Sequence, residues 1–269
     1  MSSGADAAAG LVLVERRARA AFVTLNRPEA ANALSEGLVG ALARVFADLA
    51  ADVKGGADIR ALVVTGAGKV FCAGADLKER RAMTLEQTWA FLDVLNRLMN
   101  AIAAFPRPVI AAINGAAFGG GLELALACDL RVAADTAEMG LTEVRIGVIP
   151  GAGGTQRLAR VASVAAAKEL ILTGRRVRAA RARELGIVAE VVPAAELAAA
   201  AAKLADDIAA AGPLAVAAAK RAIDDGAALP LGDGLALEAA CYEEVLASDD
   251  RNEGLNAFAE KRAPVFKGR

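Results

Sequence analysis

The feature that most constrains this chain is a run of three glycines opening an apolar segment that contains one acid. Gly119, Gly120 and Gly121 are followed by Leu-Glu-Leu-Ala-Leu-Ala, which places Glu123 in the first turn of a predicted helix. Glycines let a ligand approach the backbone closely, and the unpaired N–H groups at a helix start favour negative charge. Burying a carboxylate in so apolar a segment is costly unless it has a partner or a task. An isolated motif of this kind is more often structural, so other motifs must distinguish the two interpretations.

Composition limits the classes of protein to which the chain can belong. The 269 residues carry a net charge of −1 and are 56% hydrophobic but only 4% aromatic. This length suits one large domain or a domain with an appendage. The near-zero charge gives no general attraction to nucleic acid or membranes, and no uncharged apolar run reaches the ~20 residues that span a bilayer. Three cysteines without a CxxC pair, and a start without signal-peptide features, predict a cytoplasmic protein with reduced thiols.

The absence of histidine restricts the chemistry. Acid–base catalysis near neutral pH then falls to carboxylates, Lys, Cys or Tyr with shifted pKa values. A Ser-His-Asp triad and a zinc site built on His are excluded, and we expect no metal. The chain also lacks a P-loop, a complete dinucleotide-binding glycine fingerprint and a GxSxG nucleophile elbow.

The order of predicted elements indicates a mixed α/β protein with a helical C-terminal region. Strand-like and helical segments alternate up to about residue 195, and Ala-rich helices follow. We therefore predict an α/β core that carries the site over residues 1–195 and a helical module over residues 196–269. The predicted strands are 11–15, 21–25, 61–65, 109–113, 130–133 and 187–192. The predicted helices include one capped by Ser35 and those at 85–104, 164–172 and 179–185, whereas 66–80 is predicted to be rich in turns.

Four motifs occur in a fixed order: FCAGADLK at 71–78, GGGLE at 119–123, Glu143, and IPGAGGTQRL at 149–158. This set resembles the crotonase (enoyl-CoA hydratase/isomerase) superfamily, and the resemblance runs from about residue 11 to the C-terminus. ADLKER, GGLELALACD and EAACY look most like the methylglutaconyl-CoA hydratase branch. The resemblance implies a crotonase-like spiral of β-β-α units. It also implies a homotrimer, or a hexamer made of two trimers, held together by the C-terminal helices.

The resemblance further implies catalytic roles for four residues. The N–H groups of Ala75 and Gly120 would form an oxyanion hole for the thioester carbonyl of an acyl-CoA, in agreement with the stabilisation of an enolate by fixed donors. Glu123 and Glu143, 143 − 123 = 20 positions apart as in the family's hydratases, would serve as acid and base. Two carboxylates in one apolar pocket cannot both ionise cheaply, so one pKa should rise.

The contacts to the CoA moiety are a separate set of expectations. Ala75 and Gly120 would bind the thioester, and we expect no cofactor, since CoA is part of the substrate. Trp89 and Tyr242 are interpreted as packing residues. An arginine-rich run at 175–183 favours a solvated helix face, with phosphate binding as the alternative. The further predicted substrate contacts are Asp76, Leu77 and Lys78 after the oxyanion segment, Arg27, and the C-terminal Phe258 and Lys261.

Three functions remain open. The leading one is hydration of the 2,3 double bond of an enoyl-CoA, with methylglutaconyl-CoA as one possible substrate. An isomerase usually needs one of the two carboxylates, so the pair favours hydration. A member of the methylglutaconyl branch binds AU-rich RNA, but its lysine-rich helix is here EGLVGALARVFADLAADVK. RNA binding needs a basic surface, so we do not expect it. The acyl group is left undefined.

Overall fold

The structure is a computed structural model that describes residues 10–269. Residues 1–9, where the sequence gives no signal-peptide features, lie outside the described part. The strands are β1 (Val12–Arg17), β2 (Ala20–Leu25), β3 (Ala61–Gly66), β4 (Val70–Cys72), β5 (Val109–Ile113), β6 (Ala116–Phe118), β7 (Leu130–Ala134), β8 (Glu138–Gly140), β9 (Val177–Arg178) and β10 (Glu190–Val192). The helices are α1 (Glu36–Lys54), α2 (Leu77–Ala82), α3 (Leu85–Ala103), α4 (Gly120–Ala127), α5 (Gly154–Val161), α6 (Val164–Thr173), α7 (Ala179–Glu184), α8 (Leu197–Ala210), α9 (Pro213–Gly226), α10 (Leu231–Leu246) and α11 (Asp249–Glu260).

The larger sheet has six strands in the order β1-β2-β3-β5-β7-β10. Only the β1–β2 hairpin is antiparallel, and every other pair is parallel. The central strands read as continuous apolar runs; all five residues of β5 are buried. Strands of this composition are typical of a parallel sheet that is covered on both faces. These runs explain why the sequence alone located the strands of this sheet.

The smaller sheet has the order β4-β6-β8-β9. The strands β3, β5 and β7 of the large sheet are each followed, after a short turn, by a strand of the small sheet, and helices come next. The expected spiral of β-β-α units, with helices at the C-terminal end, is therefore confirmed. The four strands of the small sheet have at most three residues and were not predicted, because so short a run shows no period.

The structure corrects several details of the sequence interpretation. Within the predicted turn-rich stretch 66–80, β4 and the start of α2 are regular elements, and the last strand begins only at Glu190. Asp76 caps α2 by accepting hydrogen bonds from the N–H groups of Lys78 and Glu79. The interpretation of Trp89 and Tyr242 as packing residues is wrong for the single chain, because their side chains are 66% and 64% exposed.

The C-terminal helices fall into two groups. Helix α8 packs Leu197, Ala201 and Ala205 into the main hydrophobic core. By contrast, α9 and α10 pack mainly against each other and leave large apolar side chains such as Leu231 exposed. The division at residue 195 stays a prediction.

No helix among residues 10–269 is long and apolar enough to cross a membrane.

Helix α4 is the packing centre of the site, and one glycine sets its distance from the small sheet. All eight residues of α4 are buried, which accounts for its being apolar on every side. A Cβ on Gly121 would overlap the carbonyl oxygen of Cys72 at the end of β4. Because that oxygen belongs to the backbone of a buried strand, it cannot move aside easily.

We therefore predict that Gly121→Ala destabilises the protein by more than about 3 kcal/mol, since overpacking against rigid backbone is costly. Gly40→Ala is the matched control in α1, where a Cβ meets only the guanidinium of Arg44 at 3.9 Å. The control should gain up to about 1 kcal/mol from helix propensity. Urea unfolding of both variants measures the difference, and equal stabilities would contradict the close-contact argument.

Candidate active site

A cleft of about 1610 Å³ brings the predicted catalytic residues together. It runs between α3, the glycine turn before α4, and a single 3-10 turn, Glu143–Ile146. Ala75, Gly120, Glu123 and Glu143 all line it. Its apolar wall is made by Leu77, Trp89, Phe91, Leu92, Leu95, Ile146, Val148, Ile149 and Pro150. A concave, mainly apolar site with few polar groups is the usual form of a small-molecule pocket.

Glu123 is a buried carboxylate held by backbone donors. It is 2% exposed, and its Oε1 accepts hydrogen bonds from the N–H groups of Ala152 and Gly154, both at 2.8 Å. Burial raises the pKa of Glu123, while these two N–H groups and the charge of Arg157 act in the opposite direction. The two donors stabilise the ionised form, so Glu123 has support for a negative charge despite its burial.

Glu143 has a different environment. Its Oε2 is buried and has no hydrogen-bond partner within residues 10–269. Burial raises the pKa of Glu143 to about 7; its own backbone N–H opposes the rise, and the carboxylate of Glu123 adds to it. A carboxyl group that has one buried oxygen without a hydrogen-bond donor is more stable when neutral. The two acids therefore differ in the hydrogen-bond donors that their carboxylate oxygens receive.

The glycine turn brings the two carboxylates to one place. Gly119 has φ 50° and ψ −124°, a conformation that side chains disfavour. A Cβ on Gly119 would lie 3.0 Å from Oε1 of Glu143, and one on Gly120 would lie 3.9 Å from Oε2 of Glu123. Because neighbouring Cα atoms are about 3.8 Å apart, both acids border the same short piece of backbone.

The two predicted oxyanion donors also converge. A Cβ on Gly120 would lie 3.8 Å from the nitrogen of Ala75, and one on Gly74 would lie 3.5 Å from the nitrogen of Gly120. Neither N–H donates to an acceptor in the described part of the chain. Ala75 is fixed by a bridge to Leu34, and Gly120 by the start of α4. Two free donors beside a carboxylate pair could stabilise an oxyanion.

The predicted CoA contacts are distributed unevenly. Leu77 lies in the cleft wall, and Lys78 is exposed next to it. Arg27 donates to Asp76 at 2.6 Å and to the Ala33 carbonyl at 3.3 Å. This ion pair, together with the hydrogen bonds from the α2 backbone, lowers the pKa of Asp76. In the structure Asp76 and Arg27 thus order the segment beside Ala75, and their contact with substrate stays a prediction.

The C-terminal residues and the arginine-rich run lie in several environments. Phe258 is 87% exposed, and neither it nor Lys261 is part of the cleft lining of the single chain. Within the run, Arg175 and Arg176 line the cleft, and Arg176 stacks on Phe118 at 4.2 Å. The remaining arginines of the run, Arg178, Arg181 and Arg183, lie outside that lining. Phosphate binding by this run is untested.

Sequence reasoning missed the groups that hold Glu123. The motif IPGAGGTQRL was recognised, but its Ala152 and Gly154 act through backbone N–H groups, which have no signature in the residue type. A Cβ on Gly154 would come within 2.9 Å of Oε1 of Glu123. The glycine at this position was the available signal.

Among residues 10–269 there is no group of three His, Cys, Asp or Glu side chains placed to hold a metal ion.

Comparison with known proteins relates this site to one family. Residues 15–269 match the family described as "Enoyl-CoA hydratase/isomerase". A Mus musculus protein, "Enoyl-CoA hydratase domain-containing protein 2, mitochondrial", is 50% identical, covering 92% of this chain and 84% of that protein. "Enoyl-CoA isomerase/hydratase fer4" of Mycosarcoma maydis is 44% identical, covering 92% of each. The crystal structure of an enoyl-CoA hydratase from Bacillus anthracis superposes with a TM-score of 0.93 at 46% identity, covering 96% of this chain and 100% of that chain.

The raised pKa of Glu143 predicts a specific dependence of stability on pH. An acid whose pKa is higher when folded binds more protons in the folded state, so stability falls as pH rises from about 4.5 to about 7. Glu143→Gln removes this loss and should be more stable than wild type at pH 8 by about 1–2 kcal/mol, after allowance for solvent screening. Urea unfolding at pH 5 and pH 8 tests it. Glu29→Gln, an exposed acid, is the control, and an equal gain there would contradict the argument.

Proposed function

The chain belongs to the enoyl-CoA hydratase/isomerase family and is an enzyme of that family; from this premise we propose that it adds water across the 2,3 double bond of an enoyl-CoA thioester. The observation that carries the proposal is the pair of unequal carboxylates at the glycine turn. Glu123 has two backbone donors for its charge, while Glu143 has a buried oxygen without a donor. Hydration needs one base and one acid at neighbouring positions, and this pair supplies both.

The proposed reaction begins with the base. Ionised Glu123 removes a proton from water as the water oxygen bonds to C3 of the enoyl group. The π electrons of the 2,3 bond move toward the thioester, and negative charge develops on its oxygen. The N–H groups of Ala75 and Gly120 bind that enolate oxygen, where losing one such donor typically costs roughly 3 to 4 kcal/mol of barrier.

Protonation of C2 completes the addition. Neutral Glu143 donates its proton to C2, the thioester carbonyl forms again, and Glu143 is left as a carboxylate. The proton taken by Glu123 must then pass to Glu143 or to solvent before the next cycle. Glu143 is suited to donating near neutral pH because its pKa is about 7.

The substrate can be proposed only as a class. The apolar cleft wall fits an acyl chain, and CoA enters as part of the substrate, so we propose no separate cofactor. Methylglutaconyl-CoA remains the narrower proposal that the sequence resemblance supports. Arg80, Arg145 and Arg176 line the cleft and have no carboxylate within 4 Å among the described residues. They could bind an acyl carboxylate or a CoA phosphate, and an assay with crotonyl-, long-chain, branched and carboxylated enoyl-CoA substrates separates these cases.

Isomerisation is the competing reaction within the same site. It moves a proton between C2 and C4 without adding water, and one carboxylate is enough for it. The name of the Mycosarcoma maydis relative contains both activities. Product analysis with a 3-enoyl-CoA distinguishes them, since an isomerase gives a 2-enoyl-CoA whereas a pure hydratase leaves the substrate unchanged.

We propose that the chain assembles into a trimer or a hexamer through its C-terminal helices. Support comes from large apolar side chains that are exposed on α10 and α11, including Leu231, Tyr242 and Phe258. Contiguous exposed apolar surface usually marks an interaction site.

A cytoplasmic location is also a proposal, supported by three buried free thiols. The Mus musculus relative carries the word mitochondrial in its name.

The catalytic assignment predicts that Glu123→Gln and Glu143→Gln each lower turnover of crotonyl-CoA or longer enoyl-CoA by about 10²-fold or more, because acid–base catalysis is lost. Binding of the substrate should change far less. Glu138→Gln, on β8 outside the cleft lining, is the control and should keep wild-type turnover. Near-normal hydration by either active-site variant shows that the role of that residue is wrong.

The assembly proposal predicts that the mass in solution is three or six times that of the 27.3 kDa chain. If Phe258 and Lys261 reach a neighbour's CoA, Phe258→Ala and Lys261→Ala should raise the KM for acyl-CoA severalfold with little change in kcat. Leu172→Ala, another exposed apolar residue, is the control and should not. Light scattering and steady-state kinetics test both points. A fully active monomer refutes the shared site.

A further inference from the structure

The loop that holds Glu123 is itself tied down by two side chains. Nδ2 of Asn96 on α3 donates to the carbonyl of Gly151 at 2.7 Å. Nη1 of Arg157 on α5 donates to the carbonyl of Ala152 at 2.9 Å, and its Nη2 donates to Oδ1 of Asn100 at 2.8 Å. Two consecutive carbonyls of the loop are therefore fixed from two different helices, and the N–H groups between and beyond them face Glu123.

The hydrogen bond from Asn96 acts on Glu123 through one peptide group. The carbonyl of Gly151 and the N–H of Ala152 belong to the same amide, so Asn96 donates at one end while the other end donates to Glu123 Oε1 at 2.8 Å. Hydrogen bonds linked through an amide polarise one another. This chain strengthens the donor to the carboxylate and fixes its direction.

Arg157 lies directly against the loop backbone. Gly153 has φ +98°, and a Cβ there would overlap Nη1 of Arg157. The guanidinium has no carboxylate within 4 Å among residues 10–269. Burial lowers the pKa of Arg157, and Glu123 is the acid whose charge opposes that effect. The cation and Glu123 thus form a charge pair that is bridged by the loop peptide rather than by direct contact.

We propose that Arg157 is a positioning residue that fixes the Glu123 carboxylate through the 151–154 loop and keeps it ionised, so that the proton shared by the two acids stays on Glu143. The assignment of Glu123 as base and Glu143 as acid rests on the proposed hydratase function. The placement of the charge does not depend on it. A neutral residue at 157 would leave Glu123 buried with two N–H donors but without a nearby cation, and the shared proton would move toward Glu123.

The charged surroundings of the pair support this assignment. From α5, Arg157 is the cation that acts on Glu123, and from the 3-10 turn, Glu143 is the neighbouring acid. Strand β6 has no ionisable side chain. The other ionisable groups on elements packed against α4 are Glu86, Asp93 and Arg97 on α3 and Arg160 on α5, all of them exposed, and Cys72 on β4, whose thiol pKa burial raises to about 12.

The direct test is a titration of the glutamate carboxyl carbons by ¹³C NMR, with Glu123→Gln and Glu143→Gln used to assign the two signals. Arg157→Met should raise the pKa of Glu123 by about one unit, the low end of the effect of an opposite charge. Arg157→Lys, which keeps the charge, should shift it far less. Arg160→Met, one turn along α5 at an exposed position, is the control and should leave both pKa values unchanged. If Arg157→Met does not fold, Arg157→Gln takes its place, because it can still donate to the Ala152 carbonyl.

Kinetics give an independent second readout. In Arg157→Met the acidic limb of the kcat/KM profile for an enoyl-CoA should move to higher pH by the same amount, and kcat should fall more than KM rises. A purely structural role would lower turnover alike in Arg157→Met and Arg157→Lys and leave the Glu123 pKa in place, and that result overturns the proposal. A wild-type protein without hydratase activity would refute the proposed function alone, since the NMR titration would still report the effect of Arg157.

Discussion

The burial of one carboxylate, Glu123, in an otherwise apolar helix is the constraint on which the site depends. Glu123 cannot be ionised there without donors, and its donors are the N–H groups of Ala152 and Gly154. Those N–H groups can converge only because Gly153 adopts a positive φ and Gly154 has no side chain to strike the carboxylate. Gly153 and Gly154 therefore determine both the conformation of the 151–154 loop and the donors that support a charge on Glu123.

A protein without histidine needs another means of keeping an acid and a base side by side. Here the difference lies in the surrounding groups: Glu123 receives two backbone N–H donors and lies near the cation Arg157, while Glu143 has a buried oxygen without a partner among residues 10–269. Burial raises the pKa of Glu143, and the negative charge of Glu123 raises it further. Two identical side chains thus have different surroundings, and the proposed acid and base roles rest on that difference.

How much the sequence predicts depends on whether a feature has a local pattern. The central strands of the large sheet are continuous apolar runs, helices α1 and α3 have apolar residues at helical spacing, and the glycine run located the start of α4. The small sheet was missed because strands such as Val70–Cys72 are too short to show alternation and pair only with distant segments. Trp89 was misread because apolar character does not tell a core residue from a cleft wall. The groups holding Glu123 were missed because every residue type offers the same backbone N–H.

The small sheet matters because it sets the distance between the two proposed oxyanion donors. Ala75 follows β4 and Gly120 follows β6, and these strands are parallel neighbours, so both donors emerge at the same edge. The pairing is irregular between Val70 and Cys72, where the register shifts. A slip by one residue would turn every side chain of so short a strand to the other face and move one donor by about 3.3 Å. Gly121 lies so close to the Cys72 carbonyl oxygen that a Cβ there would overlap it, so the third glycine lets the start of α4 pack against the end of β4. The glycine run thus provides the proposed enolate donor at its second residue and the close contact between α4 and β4 at its third.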